Sequence, residues 1–162
     1  MSELKMEKIA IFVDVQNIYY TTRQQFNQQF NYRAFWHKAT ANKQVVAAYA
    51  YAIDRGDVKQ RSFQNILKNI GFQIKLKPYI QRKDGSAKGD WDVGITLDAI
   101  ELAATVDKII LLSGDGDFDL LLQKARKVYQ TKSVVYGVHT LTAPSLINSA
   151  DQFITINREL LM

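Results

Sequence analysis

The sequence predicts an α/β fold in which helices cover both faces of a mainly parallel sheet of five or six strands, giving three layers. Residues 9–13 (Ile-Ala-Ile-Phe-Val) and 109–112 (Ile-Ile-Leu-Leu) are short apolar runs bounded by turn residues, the pattern of strands buried on both faces. Segments with helical spacing separate such runs, and strand–helix alternation with right-handed crossovers builds a doubly wound parallel sheet. Both runs also end in acidic turns, Asp14-Val-Gln-Asn17 and Ser113-Gly-Asp115-Gly-Asp117-Phe-Asp119. Ligand sites in these sheets lie beyond the carboxyl ends of the strands, where the strand order reverses.

After the first strand, residues 17–42 are polar and aromatic, with Gln24, Gln25, Gln28 and Gln29 among them. Tyr19, Tyr20, Phe26, Phe30, Phe35 and Trp36 supply apolar material to bury, so the segment reads as one or two helices. A second strand is expected at 44–53. The turn Asp54-Arg55-Gly56 then leads into a helix at 57–69, with Phe63, Ile66, Leu67 and Ile70 on its apolar face. Gly71 caps this helix, and residues 72–79 alternate as a third strand with one wet face, which places it at an edge. Residues 81–90 carry no large apolar side chain and read as a loop.

A helix at 91–105 leads to the fourth strand at 108–112. A helix at 118–129, a fifth strand at 133–138, a short helix around 144–149 and a sixth strand at 153–156 complete the series. A strand order of 3-2-1-4-5 puts strands 1 and 4 side by side at the switch point. It brings Asp14 and Asp115, about a hundred residues apart in sequence, to one place.

The 162 residues, 47% of them hydrophobic, fit one domain, taken as 1–162. No apolar run approaches the ~20 residues of a membrane helix, and the N-terminal residues lack a secretory pattern, so a cytoplasmic protein without a membrane partner is expected. There is no cysteine, which excludes disulfides, thiolate zinc sites and cysteine nucleophiles. The two histidines, His37 and His139, lie far apart and read as structural. Any metal site must therefore use oxygen ligands, which favours Mg²⁺ or Mn²⁺. The net charge of +5 shows that the acidic turns are not part of a generally acidic surface, and a basic exterior around an acidic pocket suits a polyanionic substrate.

Each acidic residue also has a plain structural reading. Asp14 or Asn17 could simply cap the following helix. In the turn at 113–119, the two glycines permit positive φ and hold Asp115 at the strand tip, while Asp117 enters the next helix. One carboxylate suffices for capping, whereas three within five residues repel one another unless a cation intervenes. Asp119 fits the favourable first turn of that helix. In Lys88-Gly-Asp90-Trp-Asp92-Val-Gly, Asp90 is read as a helix cap, and Asp92 shares a helix face with Thr96 and Ala99 that points towards the strand ends. Asp98 is rotated off that face and is not expected to share a metal with Asp92. Lys88 either holds a substrate phosphate or is solvated surface. Lys75, Lys77, Arg82, Lys83 and Lys88, with Tyr79 among them, form either a nucleic-acid track or the lysine protection of a wet edge strand.

Asp14-x-x-Asn17, Lys88-Gly-Asp-Trp-Asp92-Val and Ser113-Gly-Asp115-Gly-Asp117-Phe118, in this order, resemble the NYN domain of the PIN-like nuclease superfamily, in particular its LabA-like (DUF88) branch. The resemblance covers roughly residues 8–157. It implies a Rossmann-like, PIN-like sandwich and a ribonuclease that hydrolyses phosphodiesters with Mg²⁺ or Mn²⁺ held by acids. Carried onto this sequence, Asp14, Asp92, Asp115 and Asp117 are the metal ligands and catalytic acids, with Asn17 as their polar partner. Ser113 takes the hydroxyl position before the acids, where with Asn17 it would orient water or a substrate phosphate oxygen, and Asp98 takes an outer position. RNA is the implied partner. Two other functions fit the same residues: an RNA-binding or regulatory module with little turnover, and a phosphatase of haloacid-dehalogenase type, although the latter places a second acid where Gln16 stands. Leu160, Leu161 and Met162 pack either on the domain or on a second subunit, so a homodimer remains open.

Overall fold

The computed structural model describes residues 5–78, 80–81, 87–88 and 90–162. A six-stranded, all-parallel sheet is built from β1 (Glu7–Asp14), β2 (Lys43–Asp54), β3 (Gln73–Pro78), β4 (Lys108–Leu112), β5 (Lys132–Gly137) and β6 (Gln152–Thr155). The spatial order is 3-2-1-4-5-6, as expected from the sequence, with the sixth strand at the free edge of β5. β3 occupies the other edge, as its alternation requires.

Alternation along β1 divides the core in two. Ile9, Ile11 and Val13 pack with Ile18 of α1 (Val15–Phe26), Phe35 of α2 (Tyr32–Thr40) and Leu67 of α3 (Val58–Ile70). Ala10 and Phe12 face Ile95 and Ala99 of α4 (Asp92–Ala103), Leu122 of α5 (Asp119–Tyr129) and Leu146 of α6 (Pro144–Ser149). Successive side chains of a strand point to opposite faces, so an unbroken apolar run is needed to serve both helical layers.

The polar segment after β1 resolves into two helices because Asn27 takes the left-handed conformation (φ 52°) and Asn31 caps α2 through the Ala34 N–H. Phe30 and Phe35 are buried as expected; Tyr19 and Tyr20 are not, and stand about half exposed. Ile66, read as part of the apolar face of α3, is also half exposed. The segment read as a loop contains a two-residue antiparallel ribbon, Ile80–Gln81 with Ala87–Lys88. Leu160 and Leu161 are buried in their own chain, where Leu161 bridges to Phe30 and the Leu160 carbonyl accepts from the Asn31 N–H. Among the described residues, no helix is long and apolar enough to cross a membrane.

Candidate metal centre

β1 and β4 run side by side with Val13 opposite Leu112, so the next residues, Asp14 and Ser113, leave the sheet together although 99 positions apart. Asp14 caps α1 by accepting from the Asn17 N–H at 3.3 Å, and its other oxygen accepts from the Ser113 hydroxyl at 3.1 Å. The Ser113 oxygen in turn accepts from the Asp115 N–H at 3.1 Å. The Asn17 side-chain oxygen accepts from the Gly114 N–H at 2.9 Å, tying α1 to the second acidic turn. Burial raises Asp14 to about pH 6; the bonds from Asn17 and Ser113 oppose this rise, and the charges of Asp115 and Asp90 add to it.

The glycines of the second turn are needed for close approach, not for positive φ as the sequence suggested. Neither Gly114 nor Gly116 is among the positive-φ glycines. A Cβ on Gly114 would lie 2.6 Å from the Leu141 carbonyl oxygen, and one on Gly116 would lie 2.9 Å from Ala143 Cβ. The turn is thus pressed against the segment that follows β5. Asp115 caps a 3₁₀ turn at Gly116–Phe118 by accepting from the Asp117 N–H at 2.9 Å. Fully buried Phe118 anchors the turn in the core.

Asp92 arrives from the opposite side. Its neighbour Trp91 donates its indole N–H to the Ala52 carbonyl at the end of β2 (2.8 Å) and packs 5.2 Å from the Tyr51 ring. The indole folds over Gly94, where a Cβ would sit 2.6 Å from the ring. This docking aims the start of α4 at the strand ends. Carboxylate oxygens of Asp92, Asp115 and Asp117 then lie within 4.8 Å of one another. Asp92 is pushed up to about pH 7, first by burial, then by its hydrogen bond with Asp115 and by the charges of Asp115, Asp90 and Asp14. Three convergent oxygen donors that form no ion pair among the described residues are the donor set a hard divalent cation takes.

The family model for the NYN domain matches residues 8–157. The chain belongs to the NYN domain family. NYN domains are generally nucleases, a class of hydrolases. This NYN domain is 29% identical over 159 residues to the "Low amplitude and bright protein LabA" of Synechococcus elongatus, an alignment that covers 93% of this chain and 84% of that one. It also superposes on the crystal structure of a Vibrio parahaemolyticus protein of unknown function with a TM-score of 0.95 and 56% identity, covering 100% of both chains.

The remaining acidic and basic residues of this NYN domain fall in different places. Asp14 borders the carboxylate trio electrostatically but is not one of its three members. Ser113, in the hydroxyl position before the acids, is buried; it donates to Asp14 and accepts from the Asp115 N–H. Asp90 stands one residue before the helix cap, which is Trp91, and accepts a long 3.4 Å bond from the Asp92 N–H. Asp119 occupies the first turn of α5. Asp98 is turned away from the trio, as helical geometry requires, and accepts from the Tyr51 hydroxyl and from Lys75, both at 2.7 Å.

That ion pair changes the reading of the basic stretch. Lys75 is neutralised by Asp98 and lies 4.1 Å from the Tyr49 ring centroid; Lys77 sits 4.4 Å over the Trp91 ring and donates to the Asp90 carbonyl. Lys77 buttresses the start of α4 and Lys75 its middle. Tyr79, Arg82, Lys83 and the Lys88 side chain lie outside the described residues. Trp91, Tyr51 and Gly94 were not singled out from the sequence. The only signal that could have marked them was the tryptophan–glycine spacing beside Asp92.

Proposed function

We propose that this NYN domain is a divalent-cation-dependent ribonuclease that hydrolyses RNA phosphodiesters. The observation that carries the reading is the carboxylate trio Asp92, Asp115 and Asp117 at the switch point of the sheet. These three would hold Mg²⁺ or Mn²⁺, with Asp14 beside them. When bound there, the cation would offset charge on the phosphate and make water acidic enough to attack at neutral pH.

The protein's own groups do the positioning. Asp115 is fixed from both sides, by Ser113 at its N–H and by Asp117 at its carboxylate. Asn17 locks the turn by accepting from Gly114, so it acts on the acids through the backbone. Asp14, raised to about pH 6, is suited to take up a proton near neutral pH from water entering the site. Gln16 stands two residues after Asp14, where a haloacid-dehalogenase phosphatase carries its second acid, which disfavours an aspartyl nucleophile here. The second reading, an RNA-binding module with little turnover, uses the same three acids to hold the cation.

The test is cleavage of end-labelled single-stranded and hairpin RNA with Mg²⁺, Mn²⁺ or EDTA, with Asp115→Asn alongside the parent chain. Cation-dependent products from the parent alone are expected. Products that persist in EDTA, or that Asp115→Asn makes equally well, would overturn the proposal. RNA bound without any product would transfer it to the binding module.

A further inference from the structure

A groove of about 540 Å³ opens beside the acidic centre, between α1, the start of α2 and the start of α3. Its first lining residue, Val15, directly follows Asp14. Its floor is apolar, formed by Ile18, Phe30 and Phe63, and Tyr32 also lines it. The Tyr32 ring is buried. Burial raises the Tyr32 phenol well above its ordinary range, and the charge of Asp14 adds to the rise, which puts this end of the groove within electrostatic reach of the acids.

The rim differs in character from the floor. Tyr19 and Tyr20 are 48% and 51% exposed and meet edge to face at 5.4 Å. The Arg23 guanidinium lies 5.5 Å from the Tyr19 ring centroid. Arg55 and Lys59 line the opposite side, and the one acid of the lining, Asp57, is occupied in capping α3 through the Gln60 N–H. Among the described residues, Arg23 and Lys59 set two cations against the Asp57 carboxylate, an excess of positive charge in the groove next to an acidic centre. Scattered surface aromatics are ordinary, but two adjoining tyrosines with an arginine beside a charged groove form a stacking platform.

We infer that this groove is a subsite for one unpaired nucleotide next to the cleavage point, with its base against the Tyr19–Tyr20 rim and its phosphate on Arg23 or Lys59. The inference rests on the ribonuclease reading for the neighbouring bond and adds to it a preference for single-stranded RNA. The volume lies within the ~300–1,000 Å³ range of sites for ligands of about one nucleotide's size. Bases stacked inside an A-form duplex have no free face to offer tyrosines, whereas a single strand does.

The test is fluorescence anisotropy with a labelled single-stranded RNA oligomer and with the same oligomer annealed to its complement, in EDTA so that nothing is cut. The parent, Asp115→Asn and the double variant Tyr19→Ala, Arg23→Gln are compared; both mutated rim side chains are exposed, and thermal melting confirms that the double variant folds. The parent and Asp115→Asn are expected to prefer the single strand, and the double variant to lose roughly 5- to 150-fold in affinity for it, with duplex binding little changed. Equal affinity of parent and double variant for the single strand, or no preference of the parent for it, overturns the inference. Cleavage assays separate the two proposals. If the double variant cuts single strands with an unchanged KM, the groove assignment fails and the nuclease survives; if the rim loss appears but the parent cuts nothing with any cation, the nuclease fails and the RNA subsite survives.

Discussion

Replacing Asp92 with asparagine should stabilise the cation-free protein even though it damages the site. The Asp92 carboxyl rises from 3.8 to about 7, through burial first and the proximity of Asp115 second. An acid raised in this way holds its proton more tightly in the folded chain than in the unfolded one. Stability therefore falls as pH climbs from 3.8 through about 7, and the full penalty stands at pH 8. At ~1.4 kcal/mol for each pH unit, the face value is about 4 kcal/mol. Asp92 is partly exposed, and solvent screening reduces this to ~1–2 kcal/mol. Asparagine also gives up a favourable charge in the first turn of α4, a loss of ~0.3–1 kcal/mol. The net gain of roughly 1 kcal/mol corresponds to a melting temperature about 2–4 °C higher for a domain of this size.

Saturating cation should reverse the ranking. At ~100 times its dissociation constant, a cation bound only by the folded protein adds ~2.7 kcal/mol, or roughly 5–11 °C. The parent should gain this and Asp92→Asn much less. Thermal melting by circular dichroism, in EDTA and in Mg²⁺, at pH 8 and again near pH 5, checks each part. Near pH 5 the folded parent keeps the Asp92 proton while the unfolded chain has largely lost it, so the difference in EDTA should shrink to roughly a third of its pH 8 size, and the cation increment should shrink because protons compete for Asp92 and Asp14. A variant that melts below the parent in EDTA at pH 8 would refute the repulsion. An undiminished Mg²⁺ increment in the variant would remove Asp92 from the ligand set.

Two further substitutions probe the supports. Asn17→Ala leaves the buried Gly114 N–H without its acceptor and should cost ~1–3 kcal/mol, read as a melting temperature lower in EDTA and in Mg²⁺ alike. Gly94→Ala places a methyl group 2.6 Å from the Trp91 ring, so the indole must move off Ala52; a cation affinity at least several-fold weaker by titration calorimetry is expected, with all acids still present.

The sheet was legible because burial on both faces leaves a direct mark in the sequence. Both apolar runs fall within β1 and β4, and their side-by-side placement follows from the chirality of crossovers, so the meeting of Asp14 with the second acidic turn could be expected before any coordinates. The exclusion of Asp98 was also legible, since helix rotation alone separates it from Asp92. Contacts between distant segments were not. Gly114 and Gly116 looked like turn-makers because a glycine-rich acidic turn usually needs positive φ; their actual reason is the segment at Leu141 and Ala143, which local pattern does not reveal. Lys75 and Lys77 looked like free cations because an alternating edge strand gives no sign of Asp98 or Trp91 across from it. Tyr19 and Tyr20 were expected to be buried because aromatic content was weighed without helical phase: Ile18 and Thr22 hold the buried stripe of α1, and the tyrosines fall beside it.

The carboxylate trio depends on two supports that share no residue. Pairing of β1 with β4, locked by Asn17 and Ser113, sets Asp115 and Asp117, while the docking of Trp91 on Ala52 and Tyr51 sets Asp92. Neither support is made of the trio's carboxylates, so each can be as rigid as ordinary packing and hydrogen bonding allow while the acids still repel one another. That repulsion is why the donors stay poised and why Asp92 retains a proton near neutrality. If the two supports act separately, Asn17→Ala and Gly94→Ala should combine additively in their effect on stability, as distant sites do. Cation affinity, which needs both halves in register, should fall by more in the double variant than either single loss accounts for.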